Sequence, residues 1–429
     1  MSDAIDWQHR LARLRRLGLH RGVADLQPKH KVPTKKAGSS GIEEMVPGWV
    51  CETRLGTCFL AEDSWPLSHR HGDSPLSAAL AVTPTTLGRL ADLPGSATFD
   101  LRQSVFIDVE TSGLSGGTGT YVFLVGVGFF DGDTFRLQQF FMRDVIEEPA
   151  MLCLVGDLLD RFEAVVSFNG RAFDLPLLNT RFALARQPRR LTRAPHLDLL
   201  KPSRRLWHRR LESCSLGSLE QMALGVHRAE EDVPGWLVPR LYFDYIQTGD
   251  ASELAGVFYH NVVDVLSMVT LAARLGAVFD DQAVAGALGG VDLFSLGWWY
   301  ERLGMMDEGE AAYRSALSKP LPPDTEHAVW QHLSYQLKRQ GRREEAADIW
   351  RKVAESGESR SFYAHVELAK HYEWQTGDLP AAVAVTRQAM ALLEKISSDR
   401  RTQETLAELA HRLRRLERKM ARQSREVGC

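Results

Sequence analysis

Ser104-Val-Phe-Ile-Asp108-Val-Glu110 is an apolar strand that closes on two carboxylates. Residues two apart on a strand point to the same face, so Asp108 and Glu110 can reach one site. Taken alone, Asp-x-Glu at a strand end is common surface chemistry. Its neighbours give it weight. Tyr121–Phe130 (YVFLVGVGFF) reads as a second buried strand and Thr134–Phe141 as an alternating third, with Gly132 among acids supplying the hairpin turn between them. A helix over 150–162 then leads into a short strand, Ala164-Val-Val-Ser-Phe168. Three antiparallel strands, a helix and a fourth strand predict an α/β domain with a mixed sheet, over residues 98–278.

Two further acidic motifs follow in order. Asn169-Gly-Arg-Ala-Phe-Asp174, with Pro176 and Leu178, starts a helix just after the fourth strand, so Asp174 can reach a metal from the first turns. The amide of Asn169 can orient that acid or a substrate; the plainer role for Asp174 is to face a helix N-terminus. His260-Asn-Val-Val-Asp264 places its end residues one helical turn apart on a single face. Four carboxylates on a strand, a helix start and a second helix belong together if divalent cations sit among them, which points to metal-assisted phosphodiester hydrolysis. An oxygen-rich donor set suits two Mg²⁺ or Mn²⁺ ions better than zinc. Thr111 opens a glycine-rich turn beside the first motif, a candidate substrate contact; without Gly-Lys-Ser/Thr and a following helix it is no P-loop.

Phe-Ile-Asp108-Val-Glu110-Thr, Asn169-x-x-x-Phe-Asp174-x-Pro and His260-Asn-x-x-Asp264 resemble the three exonuclease motifs of the DnaQ-like (DEDD) superfamily. With the helical tail described below, the chain resembles the YprB family of ribonuclease H-like exonucleases. The resemblance implies a metal-dependent 3′→5′ exonuclease in which Asp108, Glu110, Asp174 and Asp264 hold two ions. It also implies DNA repair beside a helicase. One departure bears on mechanism. The superfamily's general base is a histidine five residues before the last aspartate or a tyrosine four before it, whereas here His260 stands at the tyrosine spacing and Tyr259 at the histidine spacing. His260 is favoured because it shares a face with Asp264 and an unperturbed imidazole titrates near neutrality; Tyr259 is the alternative base.

The tail repeats. Gly304, Gly341 and Gly377 recur at intervals of 37 and 36 residues, each followed five residues on by Gly309, Ala346 or Ala382 and nine on by Tyr313, Trp350 or Thr386. This phase predicts an α-helical tetratricopeptide solenoid over 288–429, either a groove for a protein partner or a support packed on the nuclease, ending in an amphipathic helix marked by Leu406, Leu409, Leu413 and Leu416. Residues 1–97 read as a small mixed region with a basic linker and a hairpin at Trp49–Ala61.

Net charge is about -3 over 429 residues, so a polyanion partner must be met by local runs. Between Arg181 and Arg210 ten Lys/Arg face one acid, Asp198, and between Arg10 and Lys36 nine face Asp25. Arg204, Arg205, Arg209 and Arg210 are the candidate phosphate contacts, and Trp207, Trp236 and Tyr242 candidate stacking groups. Solvated helix faces would read the same way. The expected partner is nucleic acid, as single strands or 3′ ends, with DNA favoured. Five cysteines without a Cys-x-x-Cys pair argue against a disulfide framework, and the absence of a leader or membrane-span pattern points to a cytoplasmic protein. Two other functions share these features: a structure-specific ribonuclease, and a tetratricopeptide adaptor whose nuclease domain is inactive.

Overall fold

The computed structural model describes residues 40–113, 119–189, 191–229, 232–356, 362–396 and 400–427; the basic run at Arg10–Lys36 lies outside them. The chain divides into two compact units, Met1–Ser203 with Ser213–Asp281, and Arg204–Glu212 with Gln282–Cys429.

The first unit is built on a seven-stranded mixed sheet. Its strands are β1 (Trp49–Thr53), β2 (Gly56–Pro66), β5 (Ser104–Thr111), β6 (Val122–Asp131), β7 (Thr134–Phe141), β8 (Ala164–Ser167) and β9 (His196–Asp198), in the order β1-β2-β7-β6-β5-β8-β9. Two short strands, β3 (Arg70–His71) and β4 (Ser74–Pro75), pair apart from it. β5, β6 and β7 are antiparallel, and Gly132 at φ 55° makes the β6–β7 turn that the sequence predicts. β8 then runs parallel to β5, with Ser104 opposite Ala164. The Trp49–Ala61 hairpin adds two more strands to this same sheet, β2 pairing with β7 so that Phe59 faces Phe141.

Five helices of this unit matter below: α1 (Glu148–Leu159), α2 (Asp174–Leu184), α3 (Leu200–Trp207, which ends in the second unit), α4 (Val238–Thr248) and α5 (Leu254–Asp280). α5 is long and apolar enough to cross a bilayer, but here it is a core helix laid against β6. The glycines of β6 permit that approach. A Cβ on Gly126 would lie 2.1 Å from Asn261 Oδ1, and one on Gly128 would lie 2.6 Å from Val265 Cγ1. One side of the sheet buries Val105, Ile107 and Val109 of β5 in the main core, where Phe123 stacks on Tyr242 at 4.0 Å. Phe106 turns the other way and packs edge-on to Phe130 and Phe135.

The second unit is helical: α6 (Gly290–Arg302), α7 (Met306–Leu317), α8 (Pro323–Arg339), α9 (Arg343–Glu355), α10 (Phe362–His371), α11 (Leu379–Ile396) and α12 (Arg400–Val427). Consecutive helices pack on one another. The repeating glycines explain the period: Gly304, Gly341 and Gly377 take φ of 75°, 81° and 70°, the left-handed turn that ends a helix without a Cβ penalty. The positions in phase with them, Tyr313, Trp350 and Thr386, and then Ala316, Val353 and Ala389, are all buried.

Candidate active site

The three acidic motifs come together where β5 ends against α5. Between Glu110 and Thr111 the pairing of β5 with β6 shifts register, Glu110 facing Leu124 and Thr111 facing Val122, the kind of irregularity that re-aims side chains beside a site. Asp108 and Glu110 come from β5, Asp174 from the first residue of α2 and Asp264 from α5. Each carboxylate keeps part of its surface open.

Electrostatics shows that they share one space. Burial raises Asp108 well above the ordinary carboxyl range, and Asp264, Glu110 and Asp174 push it further, against one hydrogen bond from Asn261. Burial, then Asp264 and Asp174, raise Glu110 well above its ordinary value. Asp174 is pushed up to about 7, first by burial and then by Asp198 and Asp264. Asp264 is raised by burial while His260 and Arg228 pull it back. Groups held so close that they repel are stabilised together by cations.

The donor set fits hard divalent ions, with carboxylate oxygens and no thiol. Among the described residues, no group of three or more His, Cys, Asp or Glu side chains already forms a metal-ready cluster. Two of the oxygens are engaged otherwise. Asn261 Nδ2 donates to Asp108 Oδ2 at 2.7 Å, and Arg228 Nη2 donates to Asp264 Oδ1.

Several residues that sequence reasoning missed build this arrangement. Asn261 is fully buried, and its Oδ1 accepts from Gln139 Nε2 at 2.9 Å, which ties Asp108 through α5 to β7. Asp198, at the end of β9, accepts from the backbone N–H of Asn169 (2.8 Å), Arg171 (3.1 Å) and Leu200 (3.2 Å). It thereby fixes the turn that delivers Asp174, with Asn169 itself at φ 63°. Asp232 Oδ1 lies 2.8 Å from His260 Nδ1, and Glu220 grips Arg228. Asn261 stands inside the His260-Asn-x-x-Asp264 motif, where its bond to Asp108 was not foreseen; Asp198, Asp232 and Glu220 stand in no periodic pattern or motif with their partners, so the sequence carries no local signal for those three.

His260 faces the carboxylates, its Nε2 3.7 Å from Asp264 Oδ2. Tyr259 does not. Its hydroxyl accepts from the Ala229 N–H at 3.1 Å, and the ring lines a separate cavity of about 710 Å³ with Trp65, His71 and His227. Thr111 Oγ1 donates to Gly113 O at 2.9 Å, beside residues 114–118, which are not described.

The basic run is divided. Arg181 is buried, bonded to Glu148 at 2.5 Å and stacked 4.2 Å over Tyr121. Arg204–Glu212 belongs to the helical unit, where Arg205 lies over Trp299 (5.5 Å), Arg209 lies over Phe294 (4.9 Å) and Arg210 pairs with Asp292 (2.8 Å). Arg204 is exposed. Of the aromatic candidates, Trp207 and Tyr242 are core residues, whereas Trp236 is 69% exposed. Phe173, next to Asp174, is 58% exposed and was not anticipated.

Residues 105–276 match the RNase_H_2 family, described as the RNase_H superfamily. The uncharacterized protein YprB of Bacillus subtilis (strain 168) is 31% identical over 339 residues, which cover 78% of this chain and 80% of that one. Among solved structures, the family B DNA polymerase from the hyperthermophilic archaeon Pyrobaculum calidifontis aligns with a TM-score of 0.31 at 17% identity, over 57% of this chain and 33% of the polymerase.

Proposed function

Because the chain belongs to the YprB family and, through its central domain, to the ribonuclease H superfamily, we propose that its four-carboxylate centre is the active site of a metal-dependent 3′→5′ exonuclease. One observation carries this reading: Asp264 pushes up the carboxyls of Asp108, Glu110 and Asp174 alike, in one partly open space beside a histidine. A scaffold has no need to store such repulsion.

Asp108, Glu110, Asp174 and Asp264 would hold two Mg²⁺ or Mn²⁺ ions. Bound, these ions supply the Lewis acidity that activates a water and stabilises the leaving oxygen. The protein's own part is proton transfer and positioning. With Nδ1–H donating to Asp232, the imidazole keeps its lone pair on Nε2, on the side of Asp264, where it accepts the proton of the attacking water. Asn261 holds Asp108 and the Asp198 turn holds Asp174, so these two carboxylates are set before substrate arrives.

The exposed rings of Trp236 and Phe173 support a nucleic-acid substrate. Trp236 follows Gly235, whose Cβ position lies 3.7 Å from His260 Nε2, and Phe173 precedes Asp174. Both suit base stacking at the scissile end. DNA is the favoured substrate, in a repair setting, with a helicase as the partner that the family resemblance suggests. The helical unit, read as tetratricopeptide repeats, is the platform for that partner. Deleting residues 290–429 would be a poor test, because it strips Arg205, Arg209 and Arg210 of Trp299, Phe294 and Asp292.

The direct test is degradation of end-labelled single-stranded DNA, duplex DNA and RNA oligonucleotides by the full chain with Mg²⁺. Stepwise shortening of DNA from the 3′ end is expected. Cleavage of RNA alone would favour a ribonuclease, and no cleavage of any substrate would favour an adaptor with an inactive nuclease domain.

A further inference from the structure

Arg228 occupies an unusual place for a cation. It follows the turn Glu220–Leu224, which closes on Gly225 at φ 65°. Its Nε donates to Glu220 Oε2 at 2.6 Å and its Nη2 to Glu220 Oε1 at 2.7 Å, a bidentate fork. Glu220 is itself buried, 1% exposed, and its Oε1 accepts a second bond from Ser267 Oγ at 2.7 Å. The anchor is therefore rigid, and it directs the opposite edge of the guanidinium into the carboxylate centre.

That edge is under-used. A guanidinium has five N–H donors. Two go to Glu220 and one, from Nη2, goes to Asp264 Oδ1. Nη1 reaches Asp232 Oδ2 only at 3.4 Å, and its 3.0 Å approach is to His260 Nδ1. Nδ1 is 2.8 Å from Asp232 Oδ1, so it must carry the proton; otherwise two lone pairs would face each other. Nη1 thus holds only the long bond to Asp232 Oδ2, and its shortest approach is to a donor. If a cation takes the Asp264 carboxylate, Nη2 keeps Glu220 Oε1 and loses its second acceptor.

The geometry points to Arg228 as a substrate-binding residue: its Glu220-anchored guanidinium takes a non-bridging oxygen of the phosphate that enters beside Asp264 and His260. This rests on the nuclease reading for the identity of the substrate, but not for the anion-binding role itself. A planar guanidinium held by one edge on Glu220 presents its other edge in a fixed direction, which a lysine ammonium does not.

The experiment compares the full chain with Arg228→Ala, Arg228→Lys and Glu220→Gln in three measurements: Mn²⁺ affinity by calorimetry, thymidine monophosphate affinity with saturating Mn²⁺, and oligonucleotide cleavage at the same ion concentration. Arg228→Ala should leave Mn²⁺ binding unchanged or tighter, since a competing cation is removed, while nucleotide affinity falls at least about 10-fold and cleavage about 100-fold. Arg228→Lys should recover part of both losses. Glu220→Gln, which keeps the guanidinium but weakens its anchor, should lose less than Arg228→Ala. Equal loss of Mn²⁺ and nucleotide binding in the lysine variant would make Arg228 merely structural and overturn the proposal. Unchanged nucleotide affinity in Arg228→Ala, with cleavage unchanged or raised, would overturn it too. If the wild-type chain binds the nucleotide through Arg228 but cleaves nothing, the nuclease reading falls and the phosphate role stands.

Discussion

Asp232 Oδ1 stands 2.8 Å from His260 Nδ1, and this contact fixes which imidazole nitrogen is open to the carboxylate centre. His260→Ala should slow hydrolysis by roughly 10² to 10⁴-fold, and Asp232→Asn by at least about 10-fold. The two act as one unit. The double variant should therefore be no slower than His260→Ala, measured as kcat at saturating Mg²⁺. Tyr259→Phe should change kcat little, and a loss exceeding that of His260→Ala would transfer the base to the tyrosine.

Asn261 reports on the support beneath Asp108. Asn261→Ala leaves Asp108 Oδ2 and Gln139 Nε2 short of a partner, a cost of about 1–3 kcal/mol. Gly126→Ala attacks the same group from the other side, because the new methyl would sit 2.1 Å from Asn261 Oδ1. Both variants should melt several degrees lower and cleave more slowly. A Gly126→Ala protein with wild-type Tm and activity would show that α5 can shift without disturbing Asp108.

The pH dependence of stability follows from Asp174, whose carboxyl is pushed from 3.8 up to about 7 by burial and by Asp198 and Asp264. Between about pH 4 and 7 the folded chain keeps on Asp174 a proton that the unfolded chain has lost, so the contribution of this group makes stability fall as pH rises across that window, and the raised Asp108 and Glu110 act in the same direction. The Tm of EDTA-treated protein should fall between pH 5 and pH 8, by about 2–4 °C for each kcal/mol. Asp174→Asn should flatten the slope, and Mg²⁺ should raise Tm more at pH 8 than at pH 5. A Tm independent of pH would mean that the carboxylates do not repel as described.

Trp236→Ala and Phe173→Ala should each weaken binding of a short single-stranded oligonucleotide by about 1–3 kcal/mol, with little change in Tm, since both rings are exposed. Unchanged oligonucleotide affinity, measured in Ca²⁺ to suppress cleavage, would remove these rings from the substrate path.

Much of this architecture is written in local pattern. The apolar runs at 104–108 and 122–130 give their strands away, and the spacing of Asp108 to Glu110 and of His260 to Asp264 puts each pair on a shared face through strand and helix periodicity alone. The glycine period of the tail works for the same reason: Gly304, Gly341 and Gly377 each meet a backbone demand where they stand. What escapes is long-range pairing. Phe59 meets Phe141 only once β2 joins β7, and nothing near Trp49–Ala61 names that partner. Asp232, Asp198, Glu220 and Arg228 sit in turns or at a strand end and acquire roles only through tertiary contact. The run Arg181–Arg210 is the opposite case. Its density of charge is plain in the sequence, yet Arg181 is buried on Glu148 and Arg209 lies over Phe294, so composition alone cannot say which arginines are available to phosphate.

The central claim rests on the four carboxylates, and end-labelled single-stranded DNA incubated with Mg²⁺ tests it most directly. The wild-type chain should shorten the strand stepwise from its 3′ end, while Asp108→Ala, Asp174→Ala and added EDTA should each abolish shortening without unfolding the protein, as checked by circular dichroism. Normal turnover by a folded Asp108→Ala or Asp174→Ala protein, or cleavage that persists in EDTA, would contradict the assignment of this centre.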